Sequence, residues 1–293
     1  METNYKLMNT ADGIRAYLKG HALVSFDIET APDEAWLLDE KAALDPHKAH
    51  VVGCSFSVEP GTGIYVPVAH LSGDNIPAEV FWNIMKEFAN DGSITKVCHN
   101  FAFESSFLYH HGIVIQAPVY DTIAASQMTL KNNWEFRSLK DSGLKTLAKT
   151  VYKEDLPTFS DVTGGRNFDE LDPADPETVR YGAADSDYAL RLYHTFNTWF
   201  DRYMPKHRWI VENIESPTAV FLGIMKYNGI PVDKVLMDER KKDATAQMDR
   251  LRNEIAFIIG DVDIGQNCST QAFKKHLYSD LGLPVLKTTL TDR

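Results

Sequence analysis

Three short groups of residues carry the types and spacings that could do chemistry. Asp27-Ile28-Glu29 sets two carboxylates at i and i+2. In a strand such residues share a face, so both point the same way at the strand's C-terminal end while Ile28 turns to the core. A surface pair on a strand edge would read alike; what favours a site is that the pair ends the apolar run 22–28. His99-Asn100-Phe101-Ala102-Phe103-Glu104 places Glu104 in the first turns of a helix, with Phe103 and Phe107 at i and i+4 packing that helix down. An acidic residue also suits a helix start electrostatically. Tyr181-Gly182-Ala183-Ala184-Asp185 stacks Tyr181 and Asp185 on one helical face, and the small residues between them admit a close neighbour. Asp187 lies on another face and is the weaker ligand. An ordinary amphipathic helix explains each residue of the third group singly, but not all three groups in this order. Carboxylate and water oxygens suit Mg2+ or Mn2+. Two such ions, roughly 3.5–4 Å apart, would activate a water and stabilise the leaving oxygen of a phosphodiester, with the Tyr181 hydroxyl orienting the water. The pattern points to metal-assisted hydrolysis.

Positioning these groups requires a sheet with helices against it. Residues 22–28 read as a buried strand, and 51–58 and 63–68 as two more, joined by the turn Glu59-Pro60-Gly61-Thr62. Apolar residues at helical spacing mark 76–89 as a helix. Residues 94–98 form a further strand, and Asn100 is placed to cap a helix running to His111. Residues 119–130 and 144–152 read as helices flanking a basic loop with Lys131, Arg137 and Lys140, and 177–200 as a long helix. Strands with interleaved helices indicate an α/β domain ending near residue 205. From 206 the texture becomes helical, with long patterns at 209–227 and 235–259 around the turn Asn228-Gly229-Ile230-Pro231.

Hydrophobic residues make up 44% of the 293 and charged ones 24%, as in an ordinary soluble globular protein. No apolar run approaches the roughly 20 residues of a membrane span, and residues 1–19 lack the apolar stretch of a signal peptide, so a cytoplasmic protein (host cytoplasm if phage-encoded) with no membrane partner is expected. The three cysteines are far apart, without a C-x-x-C pair, which points to buried free thiols. A net charge of −11 argues against a protein that coats nucleic acid by neutralising many phosphates. It does not exclude an enzyme that grips a strand end through cations held on carboxylates.

Asp27-Ile28-Glu29, His99 to Glu104, and Tyr181 with Asp185 resemble the three exonuclease motifs of DEDD nucleases, in the subtype with Tyr in the third motif. The wider text resembles family A DNA polymerases: Val51 to Ser57, Tyr65 to His70, Tyr120-Asp121-Thr122, and Leu156 to Phe159 with Gly164. Ile214-Glu215-Ser216-Pro217, Asn228 to Asp233, Asn267 to Gln271 and Leu283-Pro284 with Lys287-Thr288-Thr289 resemble the start of the polymerase thumb. The resemblance implies a ribonuclease H-like mixed sheet flanked by helices over residues 1–205, then a smaller helical thumb-like segment over 206–293. It also implies a 3′→5′ exonuclease of the proofreading kind, acting with two metal ions on a single-stranded or frayed DNA 3′ end. By the same resemblance Asp27 bridges both ions, Glu29 and Asp185 complete the tighter site, Glu104 serves the second ion through water, and Tyr181 positions the nucleophile. Phe159 matches a residue that packs on the terminal base, Thr30 one that contacts the terminal nucleotide, and Asn100 one that supports substrate or the second motif. Trp36 is a candidate for base stacking, and Lys140 for tracking the phosphates.

One position departs from the family: the second motif usually supplies Asp, where this chain has Glu104. The extra methylene moves the carboxylate on the ångström scale, enough to alter rates; related phage-type enzymes tolerate Glu here, and activity is expected. Palm and fingers motifs are absent from the sequence, so no DNA synthesis is expected, and a fragment and a naturally split polymerase both remain open. Two other readings stand beside the exonuclease. One is a catalytically weak DNA-end-binding subunit that pairs with a separate DNA polymerase chain; the other is an RNA-trimming enzyme like ribonuclease D.

Overall fold

A computed structural model describes residues 3–130, 142–260, 262–265 and 270–285. The described residues fall into two compact units, 1–229 and 230–293. In the first, six strands form one mixed sheet: β1 (Asn4–Leu7), β2 (Leu23–Pro32), β3 (Ala49–Ser57), β4 (Thr62–Pro67), β5 (Thr95–Cys98) and β6 (Val119–Asp121), in the spatial order β1-β4-β3-β2-β5-β6. β2, β3 and β4 make an antiparallel meander; β1 joins β4 in parallel, as β5 joins β2 and β6 joins β5. This is the α/β, ribonuclease H-like class that the sequence led us to expect.

Alternation along β2 decides which face carries chemistry. Val24, Phe26 and Ile28 are buried in a cluster with Ile14 of α1 (Ala11–Leu18), Phe81 and Phe88 of α2 (Ala78–Asn90), and Phe101 and Phe107 of α3 (Phe101–His110). Ser25, Asp27 and Glu29 therefore face the other side. That side is covered by the 28-residue α7 (Pro176–Tyr203), whose Leu192, Phe196 and Phe200 pack with Val97 and Tyr120. α7 approaches closely because its sequence allows it: a Cβ on Gly182 would meet the Tyr65 ring at 2.5 Å, and one on Gly53 would meet the Tyr65 hydroxyl at 2.0 Å. The expected close neighbour of the small residues between Tyr181 and Asp185 is thus Tyr65 of β4. Farther along α7, buried Asp187 is paired with Arg191 and accepts from the Tyr5 hydroxyl of β1 at 2.7 Å and from the Gly61 backbone N–H at 2.7 Å. That network ties β1 and the β3–β4 turn to α7.

The structure departs from the sequence reading at several elements. β2 continues to Pro32 through a register shift between Glu29 and Thr30, so Asp27 and Glu29 sit within the strand and not at its end. Residues 119–121, expected to open a helix, form β6; three residues beside β5 are too few to show a period, and the helix that follows is α4 (Thr122–Thr129). β1 and α1 were not foreseen. The segment Leu144–Tyr152 is helical, as α5 (Leu144–Leu147) followed by a π turn, and α6 (Phe159–Thr163) comes next. The helical run α8 (Pro205–Ile210), a π turn (Val211–Glu215) and α9 (Ser216–Asn228) belongs to the first compact unit, which thus reaches past the boundary expected at residue 205. α9 docks on α3 where a Cβ on Gly223 would fall 1.9 Å from Ser105 Oγ. The second unit holds α10 (Lys234–Ile259) and α11 (Gln271–Lys275). Cys54 and Cys98 are buried free thiols, and among the described residues no helix is long and apolar enough to cross a membrane.

Candidate active site

β2 and α7 bring three carboxylates to one point. One oxygen each from Asp27, Glu29 and Asp185 lies within 4.8 Å of the others. The i, i+2 spacing on β2 and the approach of α7 over Gly182 produce this convergence. Crowding and burial penalise the charged forms. Asp27 is pushed well above the usual carboxylate range by burial, then by Asp185, Glu29 and Glu104. Glu29 rises to about 8 through burial and Asp185, and Asp185 to about 6 through burial. Lys145 opposes these rises without cancelling them, and such a crowded set of hard oxygen donors fits a divalent cation.

Glu104 sits 1% exposed on α3. Cys98 Sγ donates to its Oε2 at 3.5 Å. Burial raises its pKa well above the ordinary value, and Lys226 of α9 opposes that rise. Its charge is felt by Asp27, but it is not one of the three groups whose oxygens converge. Tyr181, one turn before Asp185, packs beside Phe168 with the rings tilted at 44° and their centroids 5.6 Å apart. Burial and the neighbouring Glu29, Asp185 and Asp27 push its phenol far up, so it keeps its proton. A cavity of about 100 Å³ opens beside Tyr181 and Asp185, bordered by Tyr5, Leu156, Pro157 and Arg180.

The structure places the remaining expected site residues less uniformly. Thr30 follows the register shift, and its hydroxyl donates to the Ala43 carbonyl at 2.6 Å, bracing the loop beyond β2. Asn100 occupies the N-cap position of α3 in the left-handed region (φ 90°), yet its side chain makes no cap hydrogen bond. The cap is supplied by Asp121, whose carboxylate accepts from the N–H of Asn100, Phe101 and Ile123 and so serves α3 and α4 together. The capping role expected of Asn100 is therefore corrected: its own backbone conformation sends the task to a neighbouring strand, and Asn100 itself stays exposed. Phe159 begins α6 behind a Thr158–Asp161 capping box and leaves 44% of its surface open, more than core packing allows. Trp36 is 42% exposed, with Lys48 Nζ 4.6 Å from its ring centroid. Lys131, Arg137 and Lys140 lie outside the described residues. The sequence reading missed Lys145 at the start of α5, whose Nζ reaches the Tyr181 hydroxyl at 3.1 Å; a single lysine in a short helix has no sequence signature.

With this geometry in view, the comparisons with known proteins are consistent with it. Residues 9–200 match the family model described as 3′-5′ exonuclease, and the chain belongs to that family, the exonuclease of DNA polymerase I-like proteins of family A. DNA polymerase I of Pseudomonas aeruginosa is 25% identical over 99% of this chain and 31% of its own length. The chain thus spans about a third of the length of that curated relative. Among solved structures, the POL domain of Pol1 from M. smegmatis, in complex with DNA primer-template and dNTP, superposes with a TM-score of 0.68 at 16% identity, over 98% of this chain and 42% of that one. Brucella melitensis NrnC with bound Mg2+ superposes with a TM-score of 0.52 at 19% identity, over 79% of this chain and 98% of that one. These likenesses share the fold.

Proposed function

We propose that this chain is a metal-dependent 3′→5′ exonuclease that removes nucleotides from single-stranded or frayed DNA ends, as the proofreading part of a family A polymerase. The convergence of Asp27, Glu29 and Asp185 within 4.8 Å, one helical turn from Tyr181, carries this reading. Asp27, Glu29 and Asp185 would hold one Mg2+ or Mn2+ ion, with Asp27 and Glu104 serving a second. When bound, such ions would offset the carboxylate charge and stabilise the charge that develops on the phosphoryl and leaving oxygens. Magnesium is favoured by the oxygen-only donor set and by the Mg2+ in NrnC. Tyr181 would orient the attacking water through its neutral hydroxyl. A water oxygen bonds to phosphorus, the bond to the leaving 3′ oxygen breaks and that oxygen takes a proton. A nucleoside 5′-monophosphate and a shortened 3′-hydroxyl end result. Phe159 and Trp36 present open aromatic surface on which bases could stack, while Thr30, Asn100 and Lys140 are assigned to substrate by the family resemblance alone.

The DNA preference and the proofreading role rest on likeness to polymerase I, as does the thumb-like assignment of residues 206–293. The test is 5′-labelled single-stranded DNA, and RNA of the same sequence, with Mg2+, Mn2+ or EDTA, for the protein and Asp27→Ala. A ladder shrinking from the DNA 3′ end, dependent on metal and lost in the variant, is expected. Unchanged turnover in Asp27→Ala overturns the site, and faster RNA shortening overturns the substrate. A separate polymerase chain as partner is tested by sedimenting the two together, and independent sedimentation refutes it.

A further inference from the structure

Lys145 lies where α5 begins, and its side chain crosses to α7. Its Nζ sits 3.1 Å from the Tyr181 hydroxyl oxygen and 4.5 Å from the centroid of the same ring. Phe168 packs beside that ring, so the phenol is held by an aromatic neighbour as well as by a cation. A phenol can donate or accept, and left alone its hydroxyl rotates to suit any neighbour. An ammonium has donors only. Beside Lys145 the Tyr181 oxygen must accept, and its own proton is left to point elsewhere. The same cation is close enough to Asp27, Glu29 and Asp185 to favour their charged forms, so the hydroxyl and the three carboxylates share one electrostatic environment.

We infer that Lys145 is a positioning residue for the hydrolysis: by donating to the Tyr181 oxygen it fixes that hydroxyl as a donor aimed at the reacting water or phosphate. This rests on the exonuclease reading above. Lys145 itself touches Tyr181, and its positioning effect on the reaction passes through that hydroxyl, apart from the charge it lends to the three carboxylates. A lysine that simply gripped a substrate phosphate would act on binding, and would act equally whether or not Tyr181 had its hydroxyl.

The experiment measures kcat and KM on 5′-labelled single-stranded DNA with Mg2+ for the full chain and for Lys145→Met, Lys145→Arg, Tyr181→Phe and the Lys145→Met/Tyr181→Phe double variant, each checked for folding by circular dichroism. Lys145→Met is expected to lower kcat about 10- to 100-fold, the range a charge-assisted hydrogen bond covers, with KM changed by less than about threefold. Lys145→Arg, which keeps the donor, recovers most of the rate. In the Tyr181→Phe background the methionine substitution costs less than about threefold more, because the oxygen it served is gone. An equal loss in both backgrounds overturns the proposal in favour of a direct phosphate contact or of charge compensation at the carboxylates, and a loss carried by KM alone overturns it in favour of the phosphate contact. Wild-type kcat in Lys145→Met overturns it while leaving the exonuclease reading intact. Parent protein that never shortens the 3′ end with Mg2+ or Mn2+ removes both.

Discussion

Removing divalent cations leaves Asp27, Glu29 and Asp185 facing one another, and the protein should record this as an inverted pH dependence of stability. Glu29 titrates at about 8 instead of its ordinary 4.5, and Asp185 at about 6 instead of 3.8. Both folded-state values are raised, so the folded protein binds protons that the unfolded chain has already released. Stability is then fully present below the unfolded values near 4, and is lost as pH rises through about 6 and then about 8. The three carboxylates titrate as a set, and a displacement of the size seen at Glu29 corresponds for that set to roughly 5 kcal/mol at its upper limit, or on the order of 10 °C in melting temperature for a domain of this size. The assay is thermal denaturation in EDTA and in excess Mn2+ from about pH 5 to about pH 9, for the parent protein and Glu29→Gln. In EDTA the parent melting temperature should fall across that interval, and Glu29→Gln should fall less, since an amide does not titrate. Metal should raise the melting temperature more at the alkaline end, where the carboxylates are already free of protons; a hundredfold excess over Kd is worth about 2.7 kcal/mol. A parent curve in EDTA that rises or stays flat with pH would refute the reasoning, as would an identical slope in Glu29→Gln.

Three further outcomes are expected. Glu104→Asp shortens a buried side chain that accepts from Cys98, and should lower kcat by about 10- to 100-fold without unfolding the protein; single-turnover kinetics on DNA would show it, and an increase in rate would mean the site prefers the shorter acid. Phe159→Ala should raise KM for single-stranded DNA by about 5- to 100-fold, as loss of one stacked base would, with kcat changed far less. Gly223→Ala places a Cβ against Ser105 and the Ala102 carbonyl, and should destabilise the first unit by about 1–3 kcal/mol in urea denaturation.

How much of this was visible in the sequence follows from how local each feature is. Asp27 with Glu29, and Tyr181 with Asp185, are pairs whose shared face is fixed by the period of one strand or one helix, so spacing sufficed. The family resemblance supplied their meeting point. The first partner of Tyr181, Lys145, could not be found that way, because its contact depends on how α5 is laid against α7 across 36 residues of chain. Asn100 misled for a related reason: a good capping residue stands in the capping place, but its left-handed backbone and the nearby Asp121 give the task to another strand. β6 and β1 are three and four residues long, too short for any periodicity to declare itself. The first unit extends to Gly229, and α9 meets α3 closely where Gly223 fits against Ser105, a match of shape between two helices that composition does not display.

The strand β1 has a practical consequence. The family match begins at residue 9, so a shortened protein cut to that boundary would lose residues 4–7 while keeping every carboxylate of the site. Such a cut would bare the outer backbone of β4, whose Ile64, Tyr65 and Val66 are fully buried, and would turn a covered strand into a free edge open to pairing with another molecule. It would also strip the Tyr5 hydroxyl from Asp187. Expression trimmed to the recognisable domain should therefore favour self-association over a soluble nuclease, and the first eight residues belong in any working version of this domain.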